Sequence, residues 1–176
     1  IVSKKKFLNK NKIKNNDIIL AVPSSGLHSN GFSLVRKVLK NIKINNFLKK
    51  ELLIPTKIYS NEILNLVKNN LINSTANITG GGLIENIPRS IPSGYTANIN
   101  LSKIKPSRIF KWLKRRNIND IEMLRTFNCG VGFCLITNKK KVKKLKNYFD
   151  NKYRPYEIGY VSKSSKKIKF TNKIKW

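Results

Sequence analysis

Two loops made of glycine and small polar residues are the parts of this sequence best suited to binding an anion. The first loop spans residues 23–31 (PSSGLHSNG) and the second spans residues 79–82 (TGGG). The first loop follows the apolar run DIILAV and the second belongs to a strand–loop–helix unit that begins at STANIT, so we predict that each joins a buried strand to a helix. Backbone N–H groups at the start of such a helix can converge on a phosphate. In the alternative interpretation, both loops are tight turns in which glycine supplies positive φ angles.

The candidate ligand-binding residues are the polar and glycine positions of these loops and of the helix start after the second loop. They are Ser24, Ser25, Gly26, His28, Asn30, Gly31, Thr79, Gly80, Gly81, Gly82, Glu85 and Asn86. Neither loop matches GxxxxGK[ST] or GxGxxG, the phosphate-binding signatures of the P-loop and dinucleotide folds. Gly130 and Gly132 form only a GxG, which we expect to ease strand packing.

Acid–base and metal chemistry have few candidates. His28 is the only histidine, and no aspartate lies near it in sequence, so bracing its loop is a simpler role than acting as a general base. Glu85, Asp120 and Glu122 could titrate or bind a metal, but among so few acids they are better explained as partners of lysines or of helix starts. No spacing of His, Cys, Asp and Glu predicts a metal site.

Two arginines and two cysteines complete the set of chemically capable side chains. Arg89 and Arg125 follow small polar segments and could clamp a phosphate, with ordinary surface ion pairs as the alternative. Cys129 and Cys134 would lie on opposite faces of a strand, so we predict neither a disulfide nor a zinc pair. Two free cysteines fit a reducing cytosol.

The elements that must position these residues alternate between strands and helices, without an internal repeat. Strands are predicted at residues 17–22, 74–79, 95–99, 131–137, 156–161 and 167–170, and helices at residues 32–41, 83–90, 106–116, 120–124 and 139–146. A further helix is predicted to open at Pro55, with Ile58 and Tyr59 among its inward-facing residues. The pattern predicts one domain of the α/β or α+β class over residues 1–176, with a basic leading segment over residues 1–16.

The charge of the chain is extreme, and its composition offers a simple origin for it. The 37 Lys+Arg residues against 8 Asp+Glu give a net charge of +29 over 176 residues. Lysine, asparagine and isoleucine number 30, 24 and 23, and all three have AT-rich codons. Only 7 of the cations are arginines, whereas a nucleic-acid reader would favour arginine and interleaved aromatic residues. We therefore expect only nonspecific nucleic-acid binding at low salt.

The lysine runs fall where ordinary folding explains them. In residues 139–149, Val142, Leu145 and Phe149 recur at helical spacing while lysines fill the opposite face. Residues 4–14 and 163–175 are predicted to be exposed strand edges or loops, where lysine blocks edge-to-edge pairing.

No stretch of the sequence predicts a membrane span or a secretion signal. The longest apolar runs fall far short of the roughly 20 residues that a span needs. The expected protein is soluble and cytoplasmic. The sequence begins with Ile1 and not with methionine, so we expect that something upstream is missing.

Four phrases, in order, carry a resemblance to a known family. DIILAVPSSGLHSNGFSLVRKVL, LLIPTKIYSNEIL, ITGGGLIENIPRSIPSG and IEMLRTFNCGVGFCLIT resemble the C-terminal half of the aminoimidazole ribonucleotide synthetases, or phosphoribosylformylglycinamidine cyclo-ligases. The resemblance covers about residues 17–161. It implies an α/β/α sandwich with a mixed sheet and some likeness to the ferredoxin fold.

The resemblance also implies an activity and its partners. Members of the family use ATP and Mg²⁺ to close the imidazole ring of formylglycinamidine ribonucleotide in purine biosynthesis, and they dimerise largely through their N-terminal half. In the family's mechanism ATP phosphorylates the amide oxygen, the substrate's own nitrogen attacks that carbon, and phosphate leaves. Most ATP and metal ligands belong to the N-terminal half, which nothing here matches, so we expect this chain alone to be inactive.

Carried over residue by residue, the family's motifs fall on both glycine loops and on a third segment, Arg125 to Asn128. We predict that the loops hold the 5′-phosphate and ribose of the substrate, with Arg125 as a further phosphate ligand. Asn30 and Asn128 are expected to hydrogen-bond near the shared cleft, and they join His28 as candidates for catalysis.

Phe32 and Leu124 depart from the family, which often has tyrosine at these positions, so a hydroxyl contact could be lost. The alternatives to the cyclo-ligase half are related synthetases and kinases of the same superfamily, a basic nucleic-acid-binding module, and an inactive fragment.

Overall fold

A central strand of the sheet is formed by the unbroken apolar run IILAV. In the computed structural model, which describes residues 8–176, this strand is β1, Ile18–Pro23. Ile18, Leu20 and Val22 enter one hydrophobic cluster, while Ile19 and Ala21 enter another on the opposite face. Both faces of β1 are therefore covered, which is why every position is apolar and not every second one.

The sheet has six strands in the order β2-β4-β1-β5-β3-β6. The other strands are β2 (Ser74–Asn77), β3 (Tyr95–Asn100), β4 (Val131–Thr137), β5 (Tyr156–Lys163) and β6 (Ile168–Thr171). All neighbours pair antiparallel except β3 and β6, which are parallel. The sheet is thus mixed, as predicted, and all six predicted strands are present.

Helices cover both faces of the sheet. They are α1 (Phe32–Leu39), α2 (Asn46–Leu52), α3 (Ser60–Lys68), α4 (Gly82–Arg89), α5 (Arg108–Lys114), α6 (Asp120–Thr126) and α7 (Val142–Lys146). Buried residues of α1, α2, α4, α5 and α6 belong to the larger cluster, and those of α3 and α7 to the smaller one. The layered α/β sandwich predicted from the sequence is confirmed.

Residues 53–59 are the main difference from the predicted elements. The helix predicted to open at Pro55 begins only at Ser60, because the preceding segment is tied to the first glycine loop through the carbonyl of Pro55 and the N–H of Lys57. The prediction that Ile58 faces inward is wrong, since it is 80% exposed, whereas Tyr59 is buried as predicted.

Helix α2 is absent from the predicted elements. Its N-terminus carries a recognisable signal, because the side chain of Asn45 accepts a hydrogen bond from the N–H of Leu48.

The two basic ends of the chain differ in their outcome. Residues 1–7 of the leading segment lie outside the described residues, and in the remainder a short 3-10 turn at Lys10–Lys12 is followed by the buried side chain of Ile13. At the other end, β6 is an edge strand in which Lys169 is exposed. The edge-strand prediction for residues 163–175 is confirmed there.

Both cysteines are free and buried. Cys134 lies in β4, and burial raises its thiol pKa to about 12. Cys129 lies before the strand begins, with a φ of 51°, and burial raises its pKa too. Thiols held protonated in this way are poor nucleophiles.

No helix within residues 8–176 has the length and apolar character that crossing a membrane requires.

Candidate functional site

The topology of the sheet brings the two glycine loops to the same edge. β1 and β2 each pair antiparallel with β4, which lies between them. They therefore run in the same direction and end at the same edge of the sheet. β1 leads through residues 24–31 into α1, and β2 leads through residues 78–81 into α4, so both predicted strand–loop–helix units are present.

The C-terminal end of α6 and the segment that follows it pack against both loops. A Cβ atom on Gly31 would overlap the ring of Phe127, and a Cβ on Gly82 would overlap the carbonyl oxygen of Leu124. Both glycines also have positive φ angles, 79° and 54°. Close approach and backbone conformation both require glycine at these positions, because any side chain would push the loops away from this segment.

Asn128 ties this segment to the first loop. Its side-chain Nδ2 donates hydrogen bonds to the carbonyl oxygens of Gly26 and Leu27 at 2.9 and 3.2 Å. Its Oδ1 accepts from the N–H of Gly130 at 2.8 Å. Asn128 is only 1% exposed, and its amide is thus occupied by backbone groups. Its predicted contact with the substrate stays a prediction.

The side chain of Asn86 holds the second loop through hydrogen bonds to its backbone. Its Nδ2 lies 3.3, 3.0 and 2.8 Å from the carbonyl oxygens of Thr79, Gly80 and Gly82, which accept its hydrogen bonds. This arrangement places the loop's carbonyl oxygens around the buried amide of Asn86. Asn86 is one of the two predicted ligand-binding residues after the triple glycine. Its amide bonds to the backbone of the loop itself.

His28 is bound into the first loop. The N–H of Ser25 donates to its Nε2 at 3.2 Å, so the neutral ring carries its hydrogen on Nδ1. The imidazole is 8% exposed, and burial lowers its pKa below 6.5. With Nε2 already accepting a hydrogen bond, the geometry favours the bracing role over that of a general base.

A third segment, residues 55–59, also supports the first loop and was not among the predicted site residues. Ser25 Oγ donates to the carbonyl of Pro55 at 2.8 Å and accepts from the N–H of Lys57 at 3.0 Å. The hydroxyl of Tyr59 donates to the carbonyl of Pro23 at 2.8 Å. The sequence does contain the phrase PTKIY, but its partners lie about 30 residues away, so spacing alone could not assign it.

Tyr59 and Lys57 form a small packed cluster beneath the loop. Burial raises the pKa of Tyr59, with the nearby Tyr153 and Glu62 adding to the effect. Lys57 Nζ lies 2.7 Å from a carboxylate oxygen of Glu62 and 5.4 Å from the centre of the Tyr59 ring. A Cβ on Gly132 would overlap the Tyr59 hydroxyl, so Gly132 permits close packing as predicted.

Three candidate side chains form no hydrogen bond within residues 8–176, namely those of Asn30, Arg125 and Ser24. Asn30 Oδ1 is 3.8 Å from the position that a Cβ of Gly80 would take, so the loops approach each other here. Within residues 8–176 the side chain of Asn30 forms no hydrogen bond, and it is partly exposed. Arg125 is exposed at the end of α6. Ser24 Oγ is buried and makes no hydrogen bond to the described part of the chain.

The acidic candidates are engaged by neighbouring groups. Glu85 pairs with Arg89 at 3.2 Å, and Glu122 accepts a hydrogen bond from the Thr126 hydroxyl. The Lys114 side chain, hydrogen-bonded to Asp120, is the main reason that the pKa of this carboxyl is lowered. In the described residues, 8–176, no group of three or more His, Cys, Asp or Glu side chains is placed to hold a metal ion.

Known proteins resemble this chain over most of its length. A family model described as AIR synthase related protein, C-terminal domain, matches residues 14–170. The phosphoribosylformylglycinamidine cyclo-ligase of Prochlorococcus marinus (strain MIT 9312) is 42% identical over an alignment that covers 92% of this chain and 50% of that protein. The chain spans about half the length of the curated relatives it matches.

Solved structures share the fold at low sequence identity. Thiamine-monophosphate kinase from Stenotrophomonas maltophilia K279a superposes with a TM-score of 0.65 at 15% identity, over 98% of this chain and 55% of the kinase. The PurL protein of T. maritima, solved in complex with FGAR, superposes with a TM-score of 0.57 at 13% identity, over 99% of this chain and 29% of PurL.

Proposed function

Because the chain belongs to the AIR synthase related protein, C-terminal domain family, we propose that it is the C-terminal half of an ATP-dependent cyclo-ligase. The proposed substrate is formylglycinamidine ribonucleotide, and the products are aminoimidazole ribonucleotide, ADP and phosphate. Identities of about 40% with relatives named phosphoribosylformylglycinamidine cyclo-ligase, over most of this chain, support the activity. The FGAR complex of the PurL structure supports the substrate class.

The convergence of three distant motifs supports placing the substrate at the glycine loops. Both loops pack on the segment around Phe127 through glycines that admit no side chain. Gly31 meets the buried ring of Phe127, and Gly82 meets the carbonyl oxygens of Leu124 and Phe127, so both loops are held against the same short stretch of chain. The result is a surface of loop backbone at the edge of the sheet, with Asn30 facing Gly80 across it.

In the proposed site the loops bind and orient the substrate. Backbone N–H groups of the two loops hold its 5′-phosphate and ribose, as they do at other helix N-termini that bind anions. Asn30 hydrogen-bonds the substrate between the loops, and Arg125 adds a positive charge. His28, Asn86 and Asn128 act as positioning residues, because their polar atoms already hold the loops.

The proposed reaction needs positioning more than a strong base. ATP transfers its γ-phosphoryl group to the amide oxygen of the substrate, which makes that oxygen a good leaving group. The amidine nitrogen of the same molecule then attacks the activated carbon, so that a C–N bond forms, the C–O bond breaks, phosphate departs and a proton is lost. Because nucleophile and carbon belong to one molecule, holding that molecule in the conformation in which they meet lowers the barrier to the attack.

Mg²⁺ does not fit the residues of this chain. Glu85, the carboxylate next to the second loop, is paired with Arg89, and residues 8–176 bring no three ligand side chains together. In the proposal, metal and nucleotide ligands belong mostly to the N-terminal half of the family's chain. The complete enzyme is proposed to be a cytoplasmic homodimer.

Substrate binding can be tested on the chain itself. Titration with formylglycinamidine ribonucleotide, followed by backbone amide NMR, should shift the resonances of residues 24–31 and 79–82. A titration with the Asn30→Ala variant should show weaker shifts at the same residues. Shifts confined to other parts of the sheet would contradict the proposed site, whatever the enzyme's activity.

Activity requires a second experiment. This chain would be joined to the N-terminal half of the Prochlorococcus marinus relative, and ATP-dependent formation of aminoimidazole ribonucleotide would be measured. The relative's own two halves, rejoined at the same junction, serve as the control. We expect turnover from the joined protein and none from the 176-residue chain alone. An inactive but folded joined protein, beside an active control, would argue against the cyclo-ligase assignment.

A further inference from the structure

A basic cavity lies where β5 pairs with β1, on the side of β1 that is away from β4, β2 and the second glycine loop. It has a volume of about 350 Å³ and is lined by Pro23, Lys105, Lys152, Arg154, Pro155 and Tyr156, among others. Tyr156 opens β5, which pairs with β1 on the side away from β4. Apart from Pro23, which opens the first loop, the residues that line the cavity are not used by the proposed substrate site. The cavity's volume lies in the range of small-molecule sites.

The charge of this cavity is one-sided. Three cations line it, and no carboxylate does. Within residues 8–176, Lys105, Lys152 and Arg154 form no ion pair, in contrast to Lys57 and Lys114, which each face a carboxylate. Positive charges gathered in one concave site without acidic partners raise the local concentration of anions.

Two of the three cations lie against tyrosine rings. Lys105 Nζ lies 4.8 Å from the centre of the Tyr156 ring, and the N–H of Lys105 donates to the Tyr156 hydroxyl oxygen at 3.3 Å. Lys152 Nζ similarly lies 5.3 Å from the Tyr153 ring. Cations held against rings lose less conformational freedom on binding a ligand than cations on free surface side chains.

The acid that follows Tyr156 in β5 does not line the cavity. Glu157 follows Tyr156 in β5, but its carboxylate pairs with Lys103 at 3.2 Å. The Tyr156 hydroxyl stays protonated, because burial raises its pKa to about 12. The cavity thus presents three positive charges and a neutral hydroxyl.

From these observations we propose that the cavity is a separate binding site for a small phosphate-bearing molecule. Arg154 offers a planar pair of donors suited to phosphate oxygens, and the two lysines supply further positive charges. The ring of Tyr156 and the two prolines provide an apolar floor for the rest of the ligand. This inference does not depend on the proposed cyclo-ligase activity.

Inorganic pyrophosphate is the probe for the test, with binding measured by calorimetry at physiological salt to suppress diffuse attraction. The triple variant K105Q/K152Q/R154Q is compared with K140Q/K143Q/K144Q, which removes three exposed lysines elsewhere. We expect the wild type and the control to bind one pyrophosphate with equal affinity. The cavity variant should bind it about tenfold more weakly or worse, because it loses charge-assisted hydrogen bonds.

Three outcomes would overturn the proposal. Equal weakening in both triple variants would mean that only net charge attracts the probe. Absence of saturable binding in the wild type would mean that no site exists. Loss of binding in the Asn30→Ala variant, with the cavity variant unaffected, would place the anion in the glycine loops. Unchanged circular dichroism and melting temperature in each variant would exclude unfolding as the cause.

Discussion

At the scale of single residues, the polar groups of the site divide into those that hold loops and those that face the space between them. His28, Asn86 and Asn128 are buried, and their side chains bond to backbone groups of the chain. Asn30 and Arg125 retain exposed polar atoms. A buried amide or imidazole that loses its partner destabilises the protein, whereas an exposed one can be exchanged at little cost in stability. The two groups should therefore respond differently to mutation.

His28 should give the stability of the protein a pH dependence. Its folded pKa is lowered by burial, so the unfolded chain binds the proton more readily. The contribution of the neutral His28 to the free energy of unfolding should be fully present above pH 6.5, the unfolded value. That contribution should be lost as the pH falls from 6.5 through the lower folded pKa. Thermal unfolding measured from about pH 7.5 to 5.5 tests this in the range where histidine titrates.

The control for this prediction is His28→Asn, which tolerates the residue's φ of 59° and cannot titrate. Its stability should change less over the same pH range. As His28 is the only histidine, its ring signals give its pKa by NMR without ambiguity. A value at or above 6.5 would contradict the buried, neutral brace.

Glycine substitutions can separate backbone strain from collision. Gly82 and Gly94 both have positive φ angles, 54° and 78°, but only Gly82 has backbone where its Cβ would lie. Gly94→Ala should cost about 1 kcal/mol, the strain of a left-handed alanine. Gly82→Ala should cost at least about 2 kcal/mol more, because the loop must move away from Leu124. Equal losses in urea unfolding would show that the loop is not packed this closely.

At the scale of elements, the site depends on the connection between α6 and β4. This connection lies between the ends of β1 and β2 and contacts both loops. Helix α6 is itself anchored, since Asn119 caps its N-terminus and the indole of Trp176 donates to Asp120 at 2.9 Å. The last residue of the described chain thus fixes the helix that leads into the site.

Asn128→Ala should loosen this connection. It removes three hydrogen bonds and leaves the carbonyls of Gly26 and Leu27 and the N–H of Gly130 without their partner. A loss of about 2–4 kcal/mol in the free energy of unfolding is expected for buried groups left unsatisfied. Asn30→Ala, measured in parallel, should change stability by less than about 0.5 kcal/mol. Similar losses in both variants would contradict the division between bracing and ligand-facing residues.

At the scale of the whole molecule, the +29 charge surrounds a fold that does not require it. The two hydrophobic clusters and the sheet between them account for the architecture. Most lysines lie outside these clusters, on helix faces such as that of α7 and on the edge strand β6. Such charge attracts polyanions independently of their sequence. The affinity and its dependence on salt follow from the number of phosphates that the protein neutralises.

Nucleic-acid binding by the chain should therefore be weak, independent of sequence and steeply dependent on salt. Affinity for a single-stranded RNA of about 20 nucleotides should fall on the order of a thousand-fold between about 50 and 200 mM salt. Fluorescence anisotropy with two unrelated RNA sequences measures both properties. A preference for one sequence that persists at about 200 mM salt would favour the basic-module alternative instead.

The sequence by itself determined the six strands, most of the helices and the two loops. Apolar runs predicted the central strands β1 and β4, and glycine after a strand predicted both loop positions, because these signals are local. The helix after Pro55 was misplaced, since the segment is held by Ser25, about 30 residues earlier in the chain. The capping asparagine of α2 was a local signal that could have been used.

Only the tertiary structure decided which polar groups are free. Asn128 and the carbonyl of Gly26 are 102 residues apart, and no spacing in the sequence indicates that they bond. The same holds for the contact of Phe127 with Gly31, and for the cavity that joins Lys105 to Arg154. Secondary structure follows from neighbours along the chain, whereas hydrogen-bond partners and the faces of a site follow from the packing of segments that are distant in sequence.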